Sequence, residues 1–289
     1  MDKIAHNLSR SGRLLCALLL ALASRGLAQE LDAKSLAAEA LRNGSGEFAL
    51  SEYTHLQKIT RRSVRKDGTV EEKSTVSEAF VPKGQQAGKR TRWVYVQIEE
   101  DGRPLPADRV EKERLRAGER LLKAEQQAPA AAAVEDARGI YFGIQIGNFL
   151  SGVTFDVRTI LRRCEFQEAG REFIEGRPAA LLTFRPPTAV LFSGEEEYLN
   201  RLTGRAWIDL QERILVKLEG WPLDAPGREA RPYVEYESLR TPEGKWLPRR
   251  IAIYCDGRKR FFKKDYRDVI ADFSRYERFG ATIREVQIK

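Results

Sequence analysis

From residue 157 to the C-terminus, short extended runs follow one another with only turn residues between them. Branched and aromatic residues alternate with charged ones in these runs, and turns are predicted at Gly176, at Gly204 and at residues 242–244. Because no regular alternation of strand and helix is seen, a parallel sheet is disfavoured. The pattern predicts an α+β fold, with an antiparallel sheet of roughly ten strands.

The N-terminal half contributes further strands to this sheet. Asp67-Gly68 lies between two extended runs, which is a strong hairpin signal, and a strand from Trp93 to Glu99 ends at Asp101-Gly102. A short amphipathic helix is predicted over residues 30–46 and begins this half. Its apolar face is predicted to hold Leu31, Ala38 and Leu41.

Residues 107–128 have a different composition, with many Glu, Lys, Arg and Leu and no interior proline. This composition predicts a long helix whose sparse apolar contacts are Val110, Leu115, Leu121 and Leu122. Its charges indicate a solvated face, and the alternative is a docking surface for a protein partner of the cell envelope.

The first 28 residues have the layout of a secretory signal peptide. A basic segment with Lys3, Arg10 and Arg13 precedes an apolar run over residues 14–23, and Ala28 ends a small-residue cleavage site. A retained anchor is the alternative, but ten apolar residues span only about 15 Å as a helix. We expect an exported, periplasmic chain with no later membrane span. Residues 29–289 would form one domain with a helical insertion at about 107–150.

The run GRAWIDLQERILVKLEG, residues 204–220, predicts a hairpin. A turn at Gln211-Glu212 places Trp207 opposite Val216. In that register Ile214, Val216 and Leu218 share the face of Trp207. Asp209, beside the turn, is interpreted as a turn former and not as a catalytic acid.

Catalytic patterns are weak throughout the sequence. His55 is the only histidine after residue 28, and nucleophile-elbow, phosphate-loop and dinucleotide motifs are missing from the sequence. We therefore predict no enzymatic activity and no cofactor or metal. Cys164 and Cys255 could form a disulfide after export or remain free thiols. The 50 basic and 42 acidic residues are mixed along the chain, which disfavours nucleic acid as a partner.

The most apolar stretch after the leader spans residues 139–153 and contains three glycines before residue 150. One interpretation is a buried helix, and the other is a mobile lid over an apolar hollow. The lid residues would be Ile140, Tyr141, Phe142, Ile144 and Phe149.

The runs GRAWIDLQERILVKLEG, KWLPRRIAIY and DFSRYERF, in that order, resemble exported bacterial proteins with the LolA-like fold. YTHLQKITRR, DGTVEEKSTVSEAFVP and GRPAALLTFRPP extend the resemblance over nearly the whole chain after residue 28. The resemblance is closest to uncharacterised outer-membrane lipoprotein-sorting-type proteins. It implies a curved, unclosed antiparallel half-barrel with helices covering its concave face.

The resemblance also implies binding of acyl chains within the hollow of the sheet. We therefore expect a carrier or binding protein for a lipid or lipoprotein acyl chain. Burial of hydrocarbon surface in the hollow would stabilise the complex by about 25 cal/mol per Å². The predicted lining residues are Trp93, Tyr95, Trp207, Ile214, Val216 and Leu218. An envelope interaction or sensor module is the alternative, and a secreted hydrolase is the least favoured function.

Overall fold

The computed structural model describes residues 32–43, 53–64, 67–80, 93–126, 145–146, 149–150, 157–223, 233–254 and 266–278. The chain divides into two units, Met1–Asp32 and Ala33–Lys289, and Asp32 is the only described residue of the first. The signal peptide over residues 1–28 lies outside the described residues and remains a prediction.

Three α-helices and one 3-10 helix accompany the strands of the described chain. The helices are α1, Ala33–Asn43; α2, Ala107–Gln126; α3, Val157–Arg163; and the 3-10 helix η1, Gly194–Arg201. The strands are β1, Tyr53–Val64; β2, Val70–Phe80; β3, Val94–Glu100; β4, Arg103–Pro104; β5, Gln145–Ile146; β6, Phe149–Leu150; β7, Glu165–Ile174; β8, Arg177–Arg185; β9, Leu202–Asp209; β10, Leu215–Pro222; β11, Val234–Arg240; β12, Trp246–Tyr254; and β13, Tyr266–Arg278.

Eleven of these strands form one sheet in the order β4-β3-β2-β1-β13-β12-β11-β10-β9-β8-β7. Every neighbouring pair whose register is defined is antiparallel. The order starts at β4 and ends at β7, so the sheet is not closed. The predicted α+β, unclosed half-barrel is confirmed, with eleven strands in place of roughly ten.

Both predicted turns in the N-terminal half are present. Asp67 and Gly68 join β1 to β2, with Gly68 at a φ of 85°, and the Asp67 carboxylate accepts hydrogen bonds from the backbone and hydroxyl of Thr69. Asp101 and Gly102 both have positive φ, 48° and 75°, as a two-residue hairpin turn requires.

The register gives the sheet two unlike faces. One face, here called the apolar face, runs through paired residues of six strands: Ala206, Leu218, Tyr236, Ile251, Ala271 and Ile59. The other, here called the charged face, runs through Arg205, Glu219, Glu235 and Ala252. Since successive residues of a strand point to opposite faces, these two rows assign the other strand residues up to the nearest register shift.

A β-bulge corrects the register predicted for the β9–β10 hairpin. Trp207 lies opposite Lys217, and Leu218 lies opposite Ala206, because the register shifts between Leu215 and Lys217. One extra residue moves everything beyond it to the other face. Leu218 is therefore on the apolar face and Trp207 on the charged face, although Val216 still packs against Trp207.

The helices also differ in part from their predictions. The buried residues of α1 are Ala33, Leu36, Ala37 and Ala40, whereas Ala38 and Leu41 of the predicted face are only half-buried and Leu31 lies outside the described residues. Helix α2 confirms the predicted long helix, and Val110 and Leu121 pack against Val94 and Val96 of β3. Leu115 and Leu122 were predicted to contact the core, but they are 57% and 54% exposed.

Two segments predicted as extended or as turns have other structures. Residues 157–163 were predicted as part of a strand, but they form helix α3. Gly204 was predicted at a turn, but it lies inside β9 opposite Gly220. A Cβ atom at Gly204 would lie 2.1 Å from the Glu219 carbonyl oxygen and 2.5 Å from the Phe184 ring. Gly204 is thus needed for close packing and not for a turn.

The apolar stretch over residues 139–153 is described only at β5 and β6. Gln145–Ile146 pairs with Phe149–Leu150 in an antiparallel hairpin, so these residues do not form the predicted buried helix. Residues 140–144 lie outside the described residues, and the lid interpretation remains a prediction.

A charged network fixes the turn between β9 and β10. Asp209, 1% exposed, accepts hydrogen bonds from both Nε (2.7 Å) and Nη2 (2.9 Å) of Arg177 on β8. Its Oδ1 also accepts backbone N–H groups of Gln211 and Glu212, which confirms Asp209 as a turn former. Glu212 bridges Arg177 to Arg240 of β11 at 3.1 and 2.9 Å, so three hairpin ends are joined.

The same network sets the ionisation of Asp209. Burial acts to raise the pKa of Asp209, but the hydrogen bonds from Arg177 and from the turn outweigh it and lower that pKa below its ordinary value. A carboxylate with a lowered pKa stabilises the fold above its unfolded-state pKa of about 4, and this stabilisation is lost as the pH falls.

We expect Asp209→Asn to lower the free energy of unfolding by about 2–4 kcal/mol at pH 7, because Arg177 then loses a buried charge partner. Urea unfolding at pH 7 and again below pH 4 checks this, and the difference from wild type should shrink in acid. Asp272→Asn is the matched control, since Asp272 is 43% exposed and 3.7 Å from Arg250. An exposed pair contributes no more than about 1 kcal/mol. Equal losses in the two variants would contradict the role of the network.

Candidate functional site: an aromatic cluster on the apolar face

Five aromatic side chains meet on the apolar face at one end of the sheet. They come from three elements: Tyr53 and His55 on β1, Trp93 just before β3, and Phe273 and Tyr276 on β13. We call this set the aromatic cluster. Strand alternation brings them together, since Tyr53 and His55 are two residues apart on β1. An irregularity of the β1–β13 register, with Arg275 at a φ of 51°, brings Tyr276 to the same side.

His55 is the centre of the aromatic cluster. Its ring centroid lies 4.9 Å from that of Trp93 in an edge-to-face arrangement, 5.5 Å from that of Phe273, and 5.6 Å from that of Tyr276. Tyr53 and Tyr276 also meet edge-to-face, with centroids 6.1 Å apart. These separations are typical of favourable aromatic pairs. The cluster is an apolar, π-rich surface around one titratable group.

The environment of His55 keeps its imidazole neutral. The residue is 4% exposed, and burial lowers the pKa of His55 to about 4, although a hydrogen bond involving the Tyr53 backbone acts in the opposite direction. Within the described part of the chain, the His55 Nδ1 atom has no hydrogen-bond partner of normal geometry. The histidine therefore behaves at neutral pH as part of an uncharged aromatic surface.

Two tyrosines on this face of the sheet have raised pKa values. The Tyr276 hydroxyl donates to the carbonyl oxygen of Pro248 on β12, and burial raises the pKa of Tyr276. Tyr95 lies opposite Ala79 of β2, which lies opposite His55, so Tyr95 is on the same face. Burial also raises the pKa of Tyr95. Both phenols are thus uncharged near neutral pH.

The aromatic cluster differs in packing from the rest of the apolar face. From β8 to β12 that face is a filled core: Leu182, Ala206, Leu218 and Tyr236 have no accessible surface, and Ile251 is 2% exposed. Trp93 and Tyr95, by contrast, are half-buried. At the β3 end of the apolar face, the aromatic surface of Trp93 and Tyr95 therefore stays partly accessible.

Trp207 lies in a different environment, on the charged face. Its indole N–H donates to the Glu172 carboxylate at 2.8 Å, and the Arg205 and Lys217 cations lie 5.3 and 5.0 Å from its ring. Arg205 also lies 4.9 Å from the ring of Trp221 and forms a 2.7 Å ion pair with Glu219. Long cationic side chains thus cover the two tryptophan rings, with their apolar stems against the protein and their charged groups in water.

The predicted lining residues are therefore not brought together. Trp93 and Tyr95 belong to the accessible end of the apolar face, and Leu218 belongs to its filled core. Trp207 and Val216 belong to the charged face, where Ile214 and Trp246 pack against them. A lining role for each of these residues remains a prediction.

The cysteines are described only in part. Cys164, between α3 and β7, is a free, half-buried thiol, and burial raises the pKa of Cys164 to about 12, with a smaller effect from Glu165. Such a thiol is a poor nucleophile at neutral pH. Cys255 lies outside the described residues.

Sequence reasoning did not identify the aromatic cluster. In the sequence His55 stands out only as the one histidine after residue 28, and Tyr53, Phe273 and Tyr276 are not among the predicted site residues. A signal was present in DFSRYERF, whose aromatic residues at 273 and 276 break the two-residue alternation of a strand. Their meeting with β1 depends on strand pairing between residues more than 200 positions apart, which no local pattern specifies.

Chemically, the aromatic cluster is suited to contact with apolar groups. Among the described residues, no three His, Cys, Asp or Glu side chains are arranged to hold a metal ion. No described helix is long and apolar enough to cross a membrane.

Comparison with known proteins gives matches among solved structures only. No protein-family model matches the chain, and no curated protein matches it significantly. A DUF1329 family protein from Desulfovibrio piger is 10% identical with a TM-score of 0.35, and 86% of this chain and 94% of that chain are covered. A LolA superfamily protein from Nitrosomonas europaea is 11% identical with a TM-score of 0.34, covering 86% and 93%.

The MucA/MucB complex of Pseudomonas aeruginosa also matches, at 10% identity and a TM-score of 0.23, covering 84% of this chain and 93% of that one. The LolA name, to which the sequence resemblance pointed, recurs among these structural neighbours. At identities near 10% and TM-scores below 0.5, none of them assigns a role to a residue of this chain.

We expect the stability of the wild-type protein to fall as the pH is lowered from about 6.5 to 4. The unfolded chain protonates His55 near pH 6.5, whereas the folded chain resists protonation until about pH 4, so acid favours unfolding. The loss attributable to His55 should reach up to about 3 kcal/mol.

Chemical unfolding of wild type and His55→Phe at pH 7, 5 and 4 measures this effect. Phenylalanine keeps an aromatic ring in the cluster and cannot titrate, so the variant should show a flatter pH dependence. Parallel pH profiles for the two proteins would show that His55 is not held neutral by the cluster.

Proposed function

We propose that the protein binds a lipid or lipoprotein acyl chain against the aromatic cluster, without catalysis, as a carrier or binding protein of the periplasm. The predicted leader over residues 1–28 and the resemblance to LolA-like proteins support the location and the ligand class. Trp93 and Tyr95 would provide the first contacts, and residues 139–153 would provide cover. No nucleic acid and no cofactor is involved in this function.

The observation that carries the proposal is the contrast between the packed middle of the apolar face and its end at β3. At β8 to β12 the face is filled by the protein itself, whereas at β3 the side chains of Trp93 and Tyr95 remain partly accessible. When a hydrocarbon chain covers accessible aromatic surface, the burial stabilises the complex by about 25 cal/mol per Å². A hydrocarbon chain could lie there without any specific polar contact.

The ionisation states support an apolar ligand. His55, Tyr95 and Tyr276 are all uncharged near pH 7, since burial lowers the pKa of the histidine and raises those of the two phenols. A charged group in this position would disfavour hydrocarbon because it would lose its hydration. The site therefore has the properties of an apolar binding surface and not those of an acid–base centre.

We expect Trp93→Ala to weaken binding of palmitate and of a palmitoyl lysophospholipid by about tenfold, equivalent to about 1.4 kcal/mol. Isothermal titration of delipidated protein measures the affinity, and a lipid-dependent rise in melting temperature provides a second readout. Leu115→Ala is the matched control, because Leu115 is exposed on α2, which packs on the other face of the sheet.

Two outcomes would count against acyl-chain binding at this site. Absence of any heat or melting shift with either lipid in the wild-type protein would remove the proposed ligand class. Unchanged affinity in a folded Trp93→Ala variant would place binding elsewhere on the molecule.

A second function, docking of an envelope protein through α2, is favoured by one specific observation. Leu115 and Leu122 are both more than half exposed and lie seven residues apart, which places them on the same side of the helix. Gly118 lies between them, and no atom lies within 4 Å of the position that a Cβ would occupy. An exposed apolar stripe within a charged helix is suited to a partner helix.

We expect the double variant Leu115→Ser, Leu122→Ser to lose recovery of an envelope protein partner in a cross-linking pull-down while its lipid affinity stays the same. Val110 and Leu121 remain in place, so the helix should stay attached to β3. Loss of lipid binding with retained partner recovery would reverse the assignment of the two surfaces.

A further inference from the structure

The two edges of the sheet are built differently. The edge at β4 is only two residues long and includes Pro104, which cannot donate to another strand. The edge at β7 is ten residues long, Glu165–Ile174, and contains neither proline nor lysine. Among the described residues, no strand pairs with its outer side. A long edge strand with unpaired backbone groups can accept another strand.

A bulge gives β7 an unusual arrangement of side chains. The register against β8 shifts between Glu168 and Gly170, with Ala169 as the extra residue. Four residues of β7 consequently lie opposite alternate residues of β8 and share the apolar-face side of the strand: Phe166 opposite Phe184, Glu168 opposite Leu182, Arg171 opposite Ala180, and Phe173 opposite Pro178. Without the bulge, Phe166 and Glu168 would point to one face of the sheet and Arg171 and Phe173 to the other.

The order of these four residues, Phe-Glu-Arg-Phe, is complementary to itself when reversed. A two-fold axis between Ala169 and Gly170 would place Phe166 opposite Phe173 of a second copy, and Glu168 opposite Arg171. Antiparallel pairing about such an axis brings opposite Cβ atoms to about 5 Å. Each dimer would then contain two Phe–Phe pairs and two Glu–Arg pairs on one side of the joined strands.

Exposure supports an apolar contact at this edge. Among the residues with described side chains, Phe173 is the only exposed aromatic residue, with 76% of its surface accessible. Phe166 is half-buried against Phe184, with ring centroids 5.9 Å apart. In the single chain the Arg171 Nε atom is 3.8 Å from the Glu168 carboxylate, a loose contact that pairing with a second copy could replace.

We propose that a second copy of this chain docks on β7, by antiparallel edge-to-edge pairing about an axis between Ala169 and Gly170, and that Phe166, Glu168, Arg171 and Phe173 specify that register. The interface is isologous, as expected for a two-fold dimer. It joins two sheets into one, and it is independent of acyl-chain binding, because β7 lies at the opposite edge of the sheet from β3.

Charge reversal tests the register directly. Arg171→Glu and Glu168→Arg should each weaken dimerisation of the purified protein at least tenfold, because each variant places like charges opposite each other at two symmetric positions. The swapped variant Glu168→Arg, Arg171→Glu should restore dimerisation, since the pairs are again of opposite sign. Sedimentation over a range of concentrations measures the dimer dissociation constant in each case.

Arg116→Glu is the matched control, because the Arg116 side chain on α2 is 55% exposed, which is similar to the 47% exposure of Arg171. This variant should dimerise like the wild type. Circular dichroism on every variant separates loss of the interface from loss of the fold, and recovery in the swapped variant does so independently. A protein that stays monomeric at its highest soluble concentration, or a dimer that the two single reversals do not weaken, overturns the proposal.

Discussion

The register of one antiparallel sheet decides on which face the side chains of its described strands lie. Residues alternate between an apolar face and a charged face, so each inserted residue exchanges the faces for the rest of its strand. Three such irregularities matter most: at Val216 in β10, at Ala169 in β7, and near Arg275 in β13. The first separates Trp207 from Leu218, the second aligns the side chains of an edge strand, and the third assembles the aromatic cluster.

The two faces are stabilised by different physics. The apolar face between β8 and β12 is packed with almost no accessible surface, and Gly204 allows the Phe184 ring to approach the backbone of β9 and β10. The charged face is held by ion pairs and by cations lying over tryptophan rings, as Arg205 does between Trp207 and Trp221. Asp209 and Arg177 join the hairpin ends on this framework. A rigid half of the sheet thus supports an end at which aromatic surface remains accessible.

The sequence predicted the fold well and the site only in part. Asp67-Gly68, Asp101-Gly102 and the turn role of Asp209 are local signals, and the structure contains each of them. The β9–β10 register could not be obtained in this way, because nothing in residues 204–220 marks Val216 as the bulged residue. Helix α3 is a single short segment with branched residues, for which strand and helix propensities are nearly balanced. The aromatic cluster depends on contacts between β1 and β13, which lie at distant positions in the sequence.

The strand order separates the two surfaces to which we assign functions. Trp93 and Tyr95 lie next to one edge of the sheet, whereas β7 forms the other edge, with the filled core between them. A second copy docked on β7 would extend the sheet away from the aromatic cluster and leave Trp93 accessible in both copies. The rigid core also means that a ligand at β3 has no evident packing change to transmit to β7, since residues without accessible surface cannot shift independently of their neighbours. Acyl-chain binding and self-association should therefore be thermodynamically independent, with the same ligand affinity per chain in monomer and dimer.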